Sequence, residues 1–229
     1  LNNLAALYHT RGMYVKSEPL YQQAKEIRKK LLGENHPSYA MSLNNQATLY
    51  HEMGQYGKAE PLYLQSGAIW KKALGATHPD YAMCLNNLAA LYEDQLQYSK
   101  AEPLYIQARD IRKTVFGVNH IDYATSLNNL AGLYAQMGQY SKSEGLIIQA
   151  NTIWKGILND NNPIIALGMN NLAAVYRKGQ TKYAEAEQLY LQSIERRKRS
   201  LGENHPLTAD TQNDLALLYM NMKQFKKAE

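Results

Sequence analysis

Pairs of adjacent asparagines return along this 229-residue chain: Asn2-Asn3, Asn44-Asn45, Asn86-Asn87, Asn128-Asn129 and Asn170-Asn171. Each pair sits inside an apolar phrase, LNNLAALY at Leu1 and Leu85, LNNQATLY at Leu43, LNNLAGLY at Leu127 and MNNLAAVY at Met169. A sixth form, QNDLALLY, starts at Gln212. Asparagine is a mediocre helix former because its amide competes for nearby backbone groups, so its repetition calls for a chemical reason. A carboxamide offers an acceptor and two donors, which can pair with the C=O and N–H of an extended peptide. Asn44, Asn45, Asn86, Asn87, Asn128, Asn129, Asn170 and Asn171 are therefore candidate peptide-binding residues. Arg177 and Lys178 join them. They replace His51-Glu52 and Glu93-Asp94 of earlier copies, so the charge there changes sign along the chain.

The other reactive side chains recur in the manner of a scaffold. His36, His78, His120 and His205 fall in the same inter-helix turn of different copies. Zinc needs ligands converging within about 2.1 Å of one ion, whereas equivalent residues on helices 8–10 Å apart cannot converge. A capping role is expected, and no metal site. His9 and His51 lie near the ends of first helices. All eighteen tyrosines fall on four rows with the same repeat, which suits packing between helices rather than catalysis. Sequences of the form GxxxxGK[ST], HExxH, GxSxG and CxxC are absent. The expectation is a non-catalytic chain without cofactors. Its one cysteine, Cys84, excludes an internal disulfide framework and fits a reducing compartment.

The elements that must position these residues follow from the period. The copies start at 1, 43, 85, 127, 169 and 212, so one step of 43 interrupts a spacing of 42. The extra residue lies in RKGQTKYAEAE, Arg177 to Glu187, where it is expected to lengthen a turn between two helices. In each first segment Leu1, Leu4, Ala5 and Tyr8, or their equivalents, share a helical face. In each second segment Tyr14, Ser17, Tyr21, Ala24, Ile27 and Leu31 do so. Pro19, Pro61 and Pro103 are expected in the first turn of the second helix, where no intrahelical acceptor is lost. Gly33, Gly75, Gly117 and Gly202 mark its C-terminus, and Pro37, Pro79, Pro163 and Pro206 the first residue of the next helix. The expected organisation is one array over 1–229, with units 1–42, 43–84, 85–126, 127–168, 169–211 and a partial 212–229, cut from a longer chain.

At about 100° per residue from Leu1, the residues Leu4, Ala5 and Tyr8 stay within about 60° of it. Asn2 then falls near ~100°, Ala6 near ~140° and Asn3 near ~200°, so the amides flank a stripe of small residues outside the main packing face. The pattern Leu4-Ala5-x-x-Tyr8-x-x-x-Gly12-x-Tyr14, with a small residue, an aromatic and Ala24 after it, resembles the tetratricopeptide repeat. The 42-residue form, with LNNLA, GxYxxAEPLYxxA, IRKxLG and HPxxA, is similar to the kinesin light chain repeat domain. The resemblance implies an all-α, right-handed α-solenoid of helix-turn-helix repeats, whose first helices line a concave groove. It also implies a protein–protein interaction scaffold binding extended peptide segments, with kinesin-light-chain-like cargo or adaptor recognition as a motor protein adaptor. The alternative is a sensor array regulating an NTPase- or protease-like domain of a larger signalling protein.

Bulk properties narrow the partner. The net charge of +5 comes from basic clusters such as Arg28-Lys29-Lys30 and Arg196-Arg197-Lys198-Arg199, which sit among Glu26, Glu34, Glu195 and Glu203. They read as solvated helix faces rather than a nucleic-acid stripe. No apolar run reaches the ~18 residues of a membrane span, and no secretory signal is visible. The expected partner is a protein or peptide segment in the cytoplasm, without nucleic acid or membrane. Two further expectations follow. The end repeats are expected to offer apolar surface for end-to-end self-association. Arg28, Trp70, Arg112, Trp154 and Arg197 alternate at one second-helix position, which predicts an Arg–Trp cation–π ladder.

Overall fold

The computed structural model describes residues 1–180, 182–224 and 227, with the backbone alone of Gln180. Thr181, in the stretch carrying the extra residue, and residues 225, 226, 228 and 229, at the end of the partial sixth copy, lie outside the described residues. Every element among them is helical. The first helices are α1 (Asn2–Thr10), α3 (Pro37–Glu52), α5 (Pro79–Asp94), α7 (Ile121–Gln136), α9 (Pro163–Val175) and α11 (Pro206–Asn221). The second helices are α2 (Tyr14–Leu32), α4 (Tyr56–Leu74), α6 (Tyr98–Phe116), α8 (Tyr140–Ile157) and α10 (Tyr183–Leu201). They fall into two compact units, Leu1–Val115 and Phe116–Glu229.

The starts and stops are chemical. Nδ1 of His36, His78, His120 and His205 accepts from the backbone N–H two residues on, at 3.1, 3.2, 3.1 and 3.2 Å. Each histidine thus satisfies one of the orphan donors of a helix N-terminus, as the turn position led us to expect. In α9 the cap is Asn162, whose Oδ1 accepts from Ile164 N–H at 3.0 Å. Pro37, Pro79, Pro163 and Pro206 open their helices. The internal prolines differ from expectation. Because α2 begins at Tyr14, Pro19 is past the first turn, and the same holds for Pro61 and Pro103. The missing donor leaves the carbonyls of Val15, Gly57 and Ser99 without it. All three residues are exposed, Val15 at 85%, so these carbonyls sit where solvent is at hand.

Helix pairs meet through small residues. Ala5, Ala47, Ala89, Ala131 and Ala173 are fully buried, opposite Ser17, Ala59, Ala101, Ser143 and Ala186. The serine hydroxyls donate to the carbonyls of Ala5 and Ala131 at 2.8 Å. Small side chains let the backbones approach, and the tyrosines fill the space around them. Tyr21, Tyr63, Tyr105 and Tyr190 are buried on the second helices. Tyr50, Tyr92 and Tyr219 donate to Glu18, Glu60 and Glu187 of the preceding second helix, at 2.9, 2.7 and 2.8 Å. Burial and then the carboxylate of Glu60 push the Tyr92 hydroxyl up to about 12, so it remains a donor.

Arg28 does not take part in the expected Arg–Trp ladder. Arg28 spends its Nη1 on Ser38 O (3.1 Å) and Ser42 Oγ (2.8 Å), and Trp70 is fully buried. The cations stand over tyrosines of their own hairpins instead, Lys58 over Tyr50 at 5.0 Å and Lys100 over Tyr92 at 4.9 Å. The alternation has another cause, since it runs in step with the residue fourteen positions on. Arg28 pairs with Ser42, and buried Arg197 donates to Leu207 O, the carbonyl that Thr211 also uses. Trp70 aligns with Cys84, and Trp154 packs on Gly168, where an added Cβ would lie 3.1 Å from the indole. The slot takes either a guanidinium with a hydroxyl or an indole with a small, weakly polar residue.

In the stretch that carries the extra residue, α9 runs on into a π-helical turn, Tyr176–Gln180, and the next residue lies outside the described ones. A π-turn takes one more residue per turn and keeps the backbone hydrogen-bonded.

At the ends of the first helices Gly12, Gly54 and Gly138 take positive φ, between 69° and 73°. In the third copy Leu96 is held there at φ 60° with its side chain 69% exposed. A left-handed non-glycine residue costs roughly 1–2 kcal/mol, and glycine returns part of that in chain entropy. Leu96→Gly is therefore expected to stabilise the chain by about 0.5–1 kcal/mol. Thermal unfolding followed by circular dichroism should show a higher midpoint; a lower one would mean that the leucine side chain is a packing group.

Candidate functional site

The asparagines meet one another. Asn45 Nδ2 donates to Asn2 Oδ1 at 3.2 Å, and Asn87 Nδ2 to Asn44 Oδ1 at 3.2 Å. In the second unit Asn171 Nδ2 donates to Asn128 Oδ1 at 2.8 Å. The second amide of one copy thus bonds the first amide of the copy before it. Where Asp214 replaces the second amide the direction reverses, and Asn170 Nδ2 donates to its Oδ2 at 3.2 Å. These columns tie adjacent first helices together. Asn44 is buried at 3% exposure and has no surface for a guest. Asn45, Asn86, Asn87, Asn128, Asn129, Asn170 and Asn171 are half-buried. One bond of the column leaves an amide with a second donor and a second lone pair.

Asn87 faces open space. It lines a cavity of about 340 Å³ with Thr48, His51, Glu52, Tyr63 and Asp94. Thr48 and Ala90, from the stripe of small residues, also line it. Tyr63 donates to Thr48 Oγ1 at 3.0 Å, and its burial pushes the phenol well above its ordinary range, so the hydroxyl stays neutral. His51 Nε2 lies 2.8 Å from Asp94 Oδ2, as His9 Nε2 does from Glu52 Oε2. The histidines are nearly covered while the carboxylates are about half exposed, so the anionic oxygens reach the cavity mouth. Spacing alone placed His51 near the end of its first helix, which is where the cavity lies. Tyr63, on a second helix, escaped it because nothing in a helical wheel says how deep a neighbouring hairpin reaches.

In the second unit the corresponding position carries Arg177, and its charge is already engaged. Its Nε donates to Tyr190 OH at 3.4 Å, and its Nη2 is 3.6 Å from Asp214 Oδ1. Lys178 is exposed. Both belong to the π-helical turn.

The tetratricopeptide-repeat family model matches residues 1–68, 53–114, 89–155, 122–180 and 164–229. The chain belongs to the tetratricopeptide repeat family. None of the curated proteins matches the sequence. Among solved structures, BtubC (BKLC) from P. vanneervenii is 21% identical with a TM-score of 0.77, over 94% of this chain and 86% of that one. A Podosopora anserina protein of nearly identical kinesin-light-chain-type repeats is 26% identical with a TM-score of 0.70, over 87% and 94%. A Rap protein, complexed with competence and sporulation factor, is 16% identical with a TM-score of 0.74, over 99% and 70%. The all-α solenoid class and the likeness to kinesin light chain repeats hold. Tetratricopeptide repeats generally mediate protein–protein interaction, through the surfaces that stacked repeats create.

Cys84, a soft nucleophile in principle, is buried with Sγ donating to Tyr63 O at 3.1 Å, and burial pushes its thiol up to about 11. It is a protonated packing group. Among the described residues no three His, Cys, Asp or Glu side chains converge as metal ligands, and no helix is long and apolar enough to cross a membrane.

Proposed function

We propose that this chain holds an extended segment of a partner protein against its first-helix faces, with a basic side chain of that segment seated in the cavity of the first unit. The cavity carries the reading. It combines small floor residues, Thr48 and Ala90, with an amide at Asn87 and two half-exposed carboxylates, Glu52 and Asp94, at its mouth. The floor admits a long side chain, the amide pairs with peptide backbone, and the carboxylates select a cation. The role is non-catalytic scaffolding. Cargo or adaptor recognition of the kinesin light chain kind, in the cytoplasm, is the specific form we favour, on the strength of the repeat type and the single buried thiol.

An array of extended peptides that differ only by Lys, Ala or Glu at one central position tests this, followed by titration calorimetry on the best binder. The lysine form is expected to bind tightest, with affinity falling as salt rises. Glu52→Gln with Asp94→Asn should weaken it roughly 10-fold or more, through loss of charge-assisted hydrogen bonds. The melting temperature should hardly move, because exposed ion pairs contribute about 0–1 kcal/mol. Equal binding of the Lys and Glu peptides would sink the reading.

A further inference from the structure

The second helices align residue by residue, and one of them breaks ranks. At a shared pair of positions stand Lys25-Glu26, Arg109-Asp110, Asn151-Thr152 and Ile194-Glu195, whereas α4 carries Gly67-Ala68. Glycine weakens a helix interior, so its presence in α4 costs stability that a longer side chain would return. What the small pair leaves behind is a hollow of about 190 Å³ between α4, α5 and α6. Leu85 and Leu88 floor it, and Leu104 and Leu64 wall it, Leu64 being 51% exposed. A hollow of ~150 Å³ lined by such residues is large enough for a benzene ring.

One cation stands at this hollow. Lys71 lines it, with Nζ 6.0 Å from the Tyr81 ring centroid. Among the described residues it has no carboxylate partner, whereas Lys29, Lys182 and Lys198 are each paired with a glutamate. The site therefore offers an apolar socket with an unpaired positive charge at its edge.

We infer that the α4–α6 hollow is a second docking site, which takes an aromatic side chain of a partner protein with a carboxylate next to it. The ring enters over Gly67 and Ala68, and the carboxylate pairs with Lys71. This site is separate from the first-helix cavity in residues and in chemistry, apart from Tyr63, which lines both. It stands whether or not that cavity binds a basic side chain.

The probe is the capped dipeptide N-acetyl-Phe-Asp amide, titrated into isotope-labelled protein and followed by amide shift changes. Saturable shifts confined to Gly67, Ala68, Lys71, Leu88 and their neighbours are expected, at millimolar ligand. The Phe-Asn dipeptide should bind roughly two- to fivefold more weakly, the size of one exposed ion pair, and Lys71→Gln should remove that difference. Gly67→Arg, which installs the residue of α6, should abolish the shifts. A Cβ at Gly67 meets Cys84 Sγ at 3.2 Å, so Ala68→Glu, which adds no such contact, serves as the second blocking variant. Asp94→Asn should leave the shifts unchanged. The inference is overturned if Ala-Asp gives the same shifts as Phe-Asp, or if both blocking variants still bind. Equal affinity for Phe-Asp and Phe-Asn would strike out the role of Lys71.

Discussion

Trp70→Arg is expected to destabilise the chain by about 3–5 kcal/mol, the range for loss of a large buried aromatic. The indole is fully buried, and the arginine would bring a charge into the slot beside Cys84, which lacks a hydroxyl to receive it. Adding Cys84→Ser recreates the Arg28–Ser42 pair one copy on, where the guanidinium donates to a hydroxyl at 2.8 Å. A hydrogen bond to a charged group returns roughly 1.5–3 kcal/mol, so the double variant should be more stable than the single one. The cost is moderated from the start, because the indole N–H of Trp70 has no partner among the described residues. Chemical unfolding of the four proteins in the cycle gives the coupling energy directly. If Cys84→Ser changes the stability of wild type and of Trp70→Arg equally, the two positions do not share a slot, and the alternation of Arg and Trp has another origin.

Gly179→Ala should cost at least about 1–3 kcal/mol, the usual price of overpacking. A Cβ at Gly179 would lie 2.0 Å from Tyr140 Cγ and 2.5 Å from its Cβ. Those atoms are the root of the side chain, so rotating the ring cannot clear them. Either α8 shifts or the π-helical turn unwinds, and the turn carries Arg177 and Lys178. Removing the tyrosine tests the cause: Tyr140→Ala with Gly179→Ala should be less damaging than the sum of the two changes. Strict additivity would mean that the turn yields without cost, and that no steric lock holds Arg177 and Lys178 in place.

Both expectations concern positions whose meaning the repeat pattern half disclosed. The alternation of Arg28, Trp70, Arg112, Trp154 and Arg197 is plain in the sequence, and so is that of Ser42, Cys84, Ser126, Gly168 and Thr211. Their relation is not, because fourteen residues and a helix reversal separate them. The same gap hides which groups the asparagines meet. A helical wheel puts both amides off the main packing face, which suggested free groove donors. The columns formed by Asn45 with Asn2, and by Asn87 with Asn44, depend on how far one hairpin is offset from the next.

What the sequence determined by itself is whatever is settled within about one helical turn. Histidine or asparagine caps, prolines at N1, left-handed glycines and the helical face of each segment all rest on contacts between residues two to four apart. Those contacts form wherever the local chain is helical, so the eleven α-helices among the described residues, and their family, were legible in the letters. The placement of Pro19 failed even here, since α2 starts at Tyr14 and the pattern does not fix its first residue. Only the tertiary structure decided which amide meets which, that Arg177 is spent on Tyr190 and Asp214, and that Gly67 opens a hollow. Those outcomes depend on the offset and tilt between helices. Offset and tilt are set by the summed fit of many side chains, Ala5 against Ser17 or Ala47 against Ala59, and no single spacing along the chain encodes them.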